Sequence, residues 1–136
     1  MPYQASCNCD TVKMSLTLPN PLGHYQPRAC DCDFCTALNV AYLSDTRGKL
    51  EVFSSGSIQV IQQGSEQALF AQCRHCADVL FVSYEFETGI KGAINANLLD
   101  DKHQLASVIA VSPKALSSTE KRERWLAVWM PLKVTP

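Results

Sequence analysis

Seven cysteines in 136 residues constrain this chain more than any other feature, because they fall in three tight groups. Cys7 and Cys9 form "CNC", Cys30, Cys32 and Cys35 form "CDCDFC", and Cys73 and Cys76 form "CRHC". The opening "MPYQASCNCD" has neither a basic start nor an apolar core, so it does not read as a secretory signal. A reducing, cytoplasmic location is the expectation. Clustered thiols there point to metal binding or catalysis before structural disulfides. Two knuckle-like pairs, each where a strand begins or ends, can meet as a tetrahedron of four thiolates. Cys7, Cys9, Cys73 and Cys76 are therefore expected to hold a structural zinc. It would staple the N-terminal strand to a hairpin more than sixty residues away. Its binding free energy is then folding free energy, on the order of 10 kcal/mol at neutral pH. The competing reading of "CRHC" as a redox pair wants a helix after the motif, whereas "ADVLFVSYEF" reads as a strand.

Cys30, Cys32 and Cys35 are left without a fourth thiol. Three protein ligands with one open position is the pattern of a catalytic zinc, where water, a substrate thiolate or an aldehyde oxygen can sit. Two other readings stand beside it. The site is closed by Asp31, Asp33 or His24, or it holds no metal and Cys32 and Cys35 form a redox pair. Asp31 and Asp33 read first as solvated turn residues or hydrogen-bond acceptors, and second as proton carriers.

The rest of the chain reads as short strands between turns. Apolar content is 46% and charged content 18%, as in an ordinary globular protein, and residues 1–136 read as one domain. "TVKMSLTL" alternates Val12, Met14, Leu16 and Leu18 against polar neighbours, the mark of a half-buried strand. "PNPLG" forces a loop. "LNVAYLSD" reads as a strand, "TRGK" as a turn, and "LEVFSSG" as a strand with Leu50 and Val52 inward and Phe53 a candidate to join them. "SIQVIQQG" sets Ile58 and Val60 against Gln59, and "QALFAQC" runs into the next cysteine pair. "VLFVSYEF" is the strongest strand signal, and "GIKGAINANLL" reads as a strand with a glycine bulge or bend. "LASVIAV" is another strand. Near the C-terminus Ser117 and Glu120 have capping-box spacing, and Trp125, Val128 and Trp129 share one helical face. The fold class is mainly β: short antiparallel sheets pinned by a four-cysteine zinc site, with one short C-terminal helix.

The order CxC, CxCxxC, CxxC resembles the glutathione-dependent formaldehyde-activating enzyme family, which also includes centromere protein V. The likeness runs from Cys7 to about Leu98. "CNCDTVKMSL" is similar to the family's CxC followed by a strand, "FAQCRHCADVLF" to its "FCxxCGxxLF", and "NANLLDD" to its small-residue stretch ending in Leu-Asp-Asp. The resemblance implies a zinc-pinned β-tent fold. It implies one structural zinc at Cys7, Cys9, Cys73 and Cys76 and a second at Cys30, Cys32 and Cys35, the latter also catalytic. Two zinc ions per chain are expected, and the occupancy of the second site is left open. The activity it implies is carbon–sulfur lyase chemistry resembling S-(hydroxymethyl)glutathione synthase, on a small thiol or aldehyde adduct such as that of glutathione. A non-catalytic, zinc-stabilised binding or scaffold module is the alternative. The family segment "CHCSxCRR" reads "CDCDFCTA" here, and the glycine after "CxxC" is Ala77. Anionic glutathione would meet Asp31 and Asp33 without the family's basic pair. Arg28 and Arg47 are the nearest compensating cations. The family's fold is shared with methionine-R-sulfoxide reductases, but no cysteine follows Cys76 to serve their chemistry.

Other groups read blandly. His75 is a knuckle residue rather than a ligand, His24 a loop residue within chain reach of Cys30, and His103 a solvated turn residue. Lys121–Arg124 reads as the wet side of the helix. With a net charge of −1 there is no footprint for nucleic acid, and no run is long enough to span a membrane. Trp125 and Trp129 read as core or interface anchors, and a homo-oligomer that buries them is compatible with the sequence.

Overall fold

The structure is a computed structural model that describes residues 2–30, 40–53, 55–62, 69–87, 89–111 and 118–135. Its strands are β1 (Pro2–Ser6), β2 (Lys13–Thr17), β3 (Arg28–Cys30), β4 (Tyr42–Leu43), β5 (Lys49–Phe53) and β6 (Ile58–Gln62). They continue with β7 (Leu69–Cys73), β8 (Val79–Phe86), β9 (Gly89–Asn95), β10 (Ile109–Val111) and β11 (Met130–Thr135). Among the described residues one α-helix, α1 (Ser118–Val128), precedes the last strand. Mainly β with one short helix is the class the sequence predicts.

One path of paired strands runs β1-β2-β5-β11-β9-β4-β3-β10, and β8, β7 and β6 branch from it at β9. The sheet is mixed. β11 lies parallel to β5, and β10 parallel to β3, while the other ladders are antiparallel as expected. β11 changes partner midway. Met130 and Pro131 pair with β9, and Leu132–Thr135 pair with β5, so one strand joins the two halves of the sheet.

The alternation in β2 works as read: Val12, Met14 and Leu16 are fully buried, with Leu18 nearly so. They pack with Leu50, Val52, Leu80, Ile94 and Met130 in one core. Complete burial of each such side chain stabilises by roughly 1.5–3 kcal/mol. β8 is buried at every position from Val79 to Ser83, which explains its unbroken apolar run. Leu80 and Phe81 join the main core, whereas Val82 meets Trp129, Trp125 and Val128. Trp125 and Trp129 are stacked at 4.8 Å, so these tryptophans cover the second face of β8 and β9.

Three expectations fail locally. Phe53 and Val60 face outward, at 38% and 59% exposure. Phe53 follows the strict two-residue period from Leu50 and Val52, and among the described residues β6 pairs only with β7, so none of them extends the sheet beyond Val60. β9 contains no bulge; its ladder with β8 is continuous from Gly89 to Ile94. Gly92 is there for space, since a Cβ would sit 2.4 Å from the Val82 carbonyl oxygen. The register shift occurs instead between Ala71 and Gln72 in β7, beside "CRHC".

Candidate metal centre

"CNC" lies in the turn of the β1–β2 hairpin. Ser6 pairs with Lys13 across that hairpin, and the Cys7 N–H donates to the Val12 carbonyl. The Asp10 N–H donates to the Cys7 carbonyl, and Asp10 takes φ 65° to close the turn. "CRHC" forms the β7–β8 turn. There the Ala77 N–H donates to the Cys73 carbonyl and the Cys73 N–H to the Asp78 carbonyl. Ala77 takes φ 63°. In both turns the residue directly after the second cysteine is left-handed, which swings that cysteine back beside the first.

The two turns meet. The four Sγ atoms of Cys7, Cys9, Cys73 and Cys76 lie within 4.8 Å of one another. Cys7 and Cys9 Sγ are 3.4 Å apart, and Cys9 and Cys73 Sγ 3.5 Å. Disulfide sulfurs would lie about 2.05 Å apart, and all four thiols are free. Four thiolates around one metal ion at about 2.3 Å have edges of about 3.8 Å, so the cluster has the size of such a tetrahedron. Four ionised thiols this close would repel one another, and a divalent cation bound among them would offset that repulsion.

Backbone donors and one side-chain hydroxyl face the sulfurs. The N–H groups of Val12 and His75 lie 3.4 Å from Cys7 Sγ and Cys73 Sγ. Cys9 Sγ lies 3.1 Å from Thr11 Oγ1. The Thr11 hydroxyl, then its N–H, pulls the Cys9 thiol down to about 6. Burial pushes the Cys7 and Cys76 thiols up. Backbone groups of Val12 at Cys7, and of Asp78 and Cys9 at Cys76, oppose that rise. An all-sulfur tetrahedron suits a soft or borderline metal such as zinc or iron.

Bracing continues outward. Gln72, at the β7 register shift, donates from Nε2 to the Ala77 carbonyl at 3.1 Å and so holds the strained residue. Arg74 donates from its N–H to Ser57 and from Nε to the Ile58 carbonyl, fixing the turn against β6. The Asp78 carboxylate accepts from the Asn8 N–H at 2.7 Å and from Asn8 Nδ2 at 3.0 Å. Nothing in the spacing of cysteines pointed to Asn8, Thr11, Gln72 or Asp78. The one available signal was Ala77, at the place where the resemblance calls for glycine.

The remaining predicted residues are placed as follows. Cys30 ends β3, where its backbone pairs with Val111. Asp31, Cys32, Asp33 and Cys35 lie outside the described residues. His75 is exposed, and the group that can hold a metal among the described residues is the four cysteines without it. His24 is exposed with its ring edge-on to Tyr25 at 5.2 Å, and His103 is exposed in a 3-10 turn at Lys102–Gln104. Arg28 is half-buried. Burial, then the charge of Arg124, lowers its proton affinity. Arg47 is exposed in the β4–β5 turn, where its N–H donates to Asp45.

Comparison with known proteins agrees on the fold. A crystal structure of a Rhodobacter sphaeroides protein, a structural-genomics target, matches with a TM-score of 0.54 and 21% identity. The match covers 96% of this chain and 99% of that one, and at this identity it speaks for the fold alone. No protein-family model matches the chain, and no curated protein sequence matches it. No helix among the described residues is long and apolar enough to cross a membrane.

Proposed function

We propose that the chain is a zinc protein with two unequal sites. The four-cysteine site is structural, and the observation that carries this is the four sulfurs within 4.8 Å, each with a hydrogen-bond partner. Both hairpin turns are shaped to aim thiols inward, and no position at this site is left for a substrate.

The second site is Cys30, Cys32 and Cys35, by the motif and its family resemblance. Zinc bound there supplies Lewis acidity and keeps a bound thiol deprotonated near neutral pH. The reaction is addition of a thiol to an aldehyde, or its reverse. A carbon–sulfur bond forms, and the thiol proton ends on the aldehyde oxygen to give a hydroxymethyl thioether. Formaldehyde with glutathione is the pair the resemblance favours. Arg28, two residues before Cys30, is the cation best placed in sequence to meet an anionic thiol.

The test is exchange of carbon-13 formaldehyde with glutathione, followed by NMR, using protein with two zinc ions per chain. Wild type is expected to accelerate formation of the hydroxymethyl thioether, and Cys32→Ser to abolish that acceleration while staying folded. Two bound zinc ions with no acceleration would favour the non-catalytic module. One bound zinc with Cys30, Cys32 and Cys35 free would remove the zinc mechanism.

A further inference from the structure

Asn8 sits between two of the thiol ligands, Cys7 and Cys9, and Asp78 follows the other pair by two residues. The two residues are 70 positions apart, yet one carboxylate takes both donors of Asn8. Its Oδ2 accepts from the backbone N–H and its Oδ1 from the side-chain amide. Asp78 also serves its own turn, since its carbonyl accepts from the Cys73 N–H. One residue thus ties the Cys7–Cys9 turn to the Cys73–Cys76 turn through contacts that need no metal.

The chemistry of the side chain sharpens this. Four thiolates on a divalent ion carry a formal charge of −2, so a carboxylate nearby is electrostatically unfavourable. If charge alone mattered, a neutral amide would serve better. An ionised carboxylate, however, is acceptor-only and can take two N–H groups at once. An amide can take one, and its NH2 would face the other donor.

We propose that Asp78 is the positioning residue of the four-cysteine metal site, clamping the two turns together through Asn8 so that the thiols are gathered before the ion arrives. This rests on the reading of those four cysteines as a metal site. Without the clamp, metal binding must itself order two segments that lie far apart in the chain. Affinity then falls, although all four ligands remain.

The experiment is zinc affinity of the full chain, measured by competition with a chromophoric chelator, for wild type, Asp78→Ala, Asp78→Asn, Asn8→Ala and Asn8→Ala/Asp78→Ala. Cobalt spectra of each saturated variant report whether four thiolates still bind. Asp78→Ala is expected to weaken zinc about 10- to 100-fold with an unchanged four-thiolate spectrum. Asp78→Asn should fall between it and wild type. Asn8→Ala keeps its backbone donor and should lose less. The double variant should match Asp78→Ala, because both changes remove one interaction. Affinity of Asp78→Ala within twofold of wild type overturns the proposal, as does tighter binding by Asp78→Asn. Asp78→Asn is nearly isosteric and decides the matter if Asp78→Ala does not fold. Wild type that binds no ion at these cysteines would instead overturn the metal reading itself.

Discussion

The two cysteine turns that meet at the candidate metal centre are built alike and surrounded differently. Each is a hairpin turn closed by a left-handed residue after its second cysteine, Asp10 in one and Ala77 in the other. In the first, Cys7 is buried and Cys9 is open to solvent. In the second, Cys73 is fully buried at the end of β7, and Cys76 is half-buried. The β7–β8 turn is tied to β6 by Arg74 and to its own strand by Gln72. The β1–β2 turn relies on Thr11, an exposed ion pair of Asp10 with Lys13, and the reach of Asn8 to Asp78. One half of the site is a braced seat and the other a cover folded onto it. The cluster brings together cysteines 64 residues apart, and the two halves should respond unequally to the same change.

Serine at each of the two ends should separate them most. Cys73→Ser removes a thiolate and leaves a hydroxyl at a position with 0% exposure inside the main core. Loss of metal coupling on the order of 10 kcal/mol equals a typical domain's whole stability, so this variant is expected not to fold. Cys9→Ser makes its change in water. It should bind metal weakly and retain a cooperative thermal melt at reduced temperature. Circular dichroism melts with metal analysis read both outcomes, and equal unfolding of the two variants would erase the contrast.

Thiol reactivity comes next. In metal-free protein at pH 7, Cys9 lies above its value of about 6 and is mostly thiolate, while burial keeps Cys7 and Cys76 protonated. Iodoacetamide is expected to label Cys9 roughly tenfold faster than Cys7 or Cys76, as read by peptide mass spectrometry. Added zinc should protect all four sites. Labelling that starts at Cys73 would contradict the seat-and-cover arrangement.

The smallest effect concerns the two left-handed residues. Alanine at φ 63° pays a steric penalty that aspartate, with its local hydrogen bonding, bears more easily. Ala77→Gly should raise stability by about 1 kcal/mol and the melting temperature by about 3 °C. Asp10→Gly should be neutral or slightly destabilising, because it also removes the ion pair with Lys13. A loss of stability in Ala77→Gly would mean that the turn is not strained there.

Much of this centre was legible because thiol spacing is a strong local code. The strands around it were legible where burial is one-sided: Val12 to Leu18 show the two-residue period plainly, and β5 shows it at Leu50 and Val52. β8 was legible for the opposite reason, as an apolar run covered on both faces. β1, β3 and β11 were not foreseen. β3 is only three residues long, and β11 begins "MPL" with a proline and exchanges partners after Pro131. Pairing between residues far apart in the chain sets such strands, and no local pattern announces it. The clamp was illegible for the same reason. Asn8 and Asp78 are unremarkable turn residues until the fold brings them to within 2.7 Å. Gly92 was seen as a strand interruption, although its role is the close approach of Val82.

Sulfur coordination of the bound ion tests the central claim most directly. Zinc K-edge absorption should be recorded on the Cys30→Ser/Cys32→Ser/Cys35→Ser protein, so that only the four-cysteine site contributes. One zinc per chain with four sulfur neighbours at about 2.3 Å is the predicted result. A mixed shell of sulfur with nitrogen or oxygen, or a folded protein that holds no zinc, would contradict it.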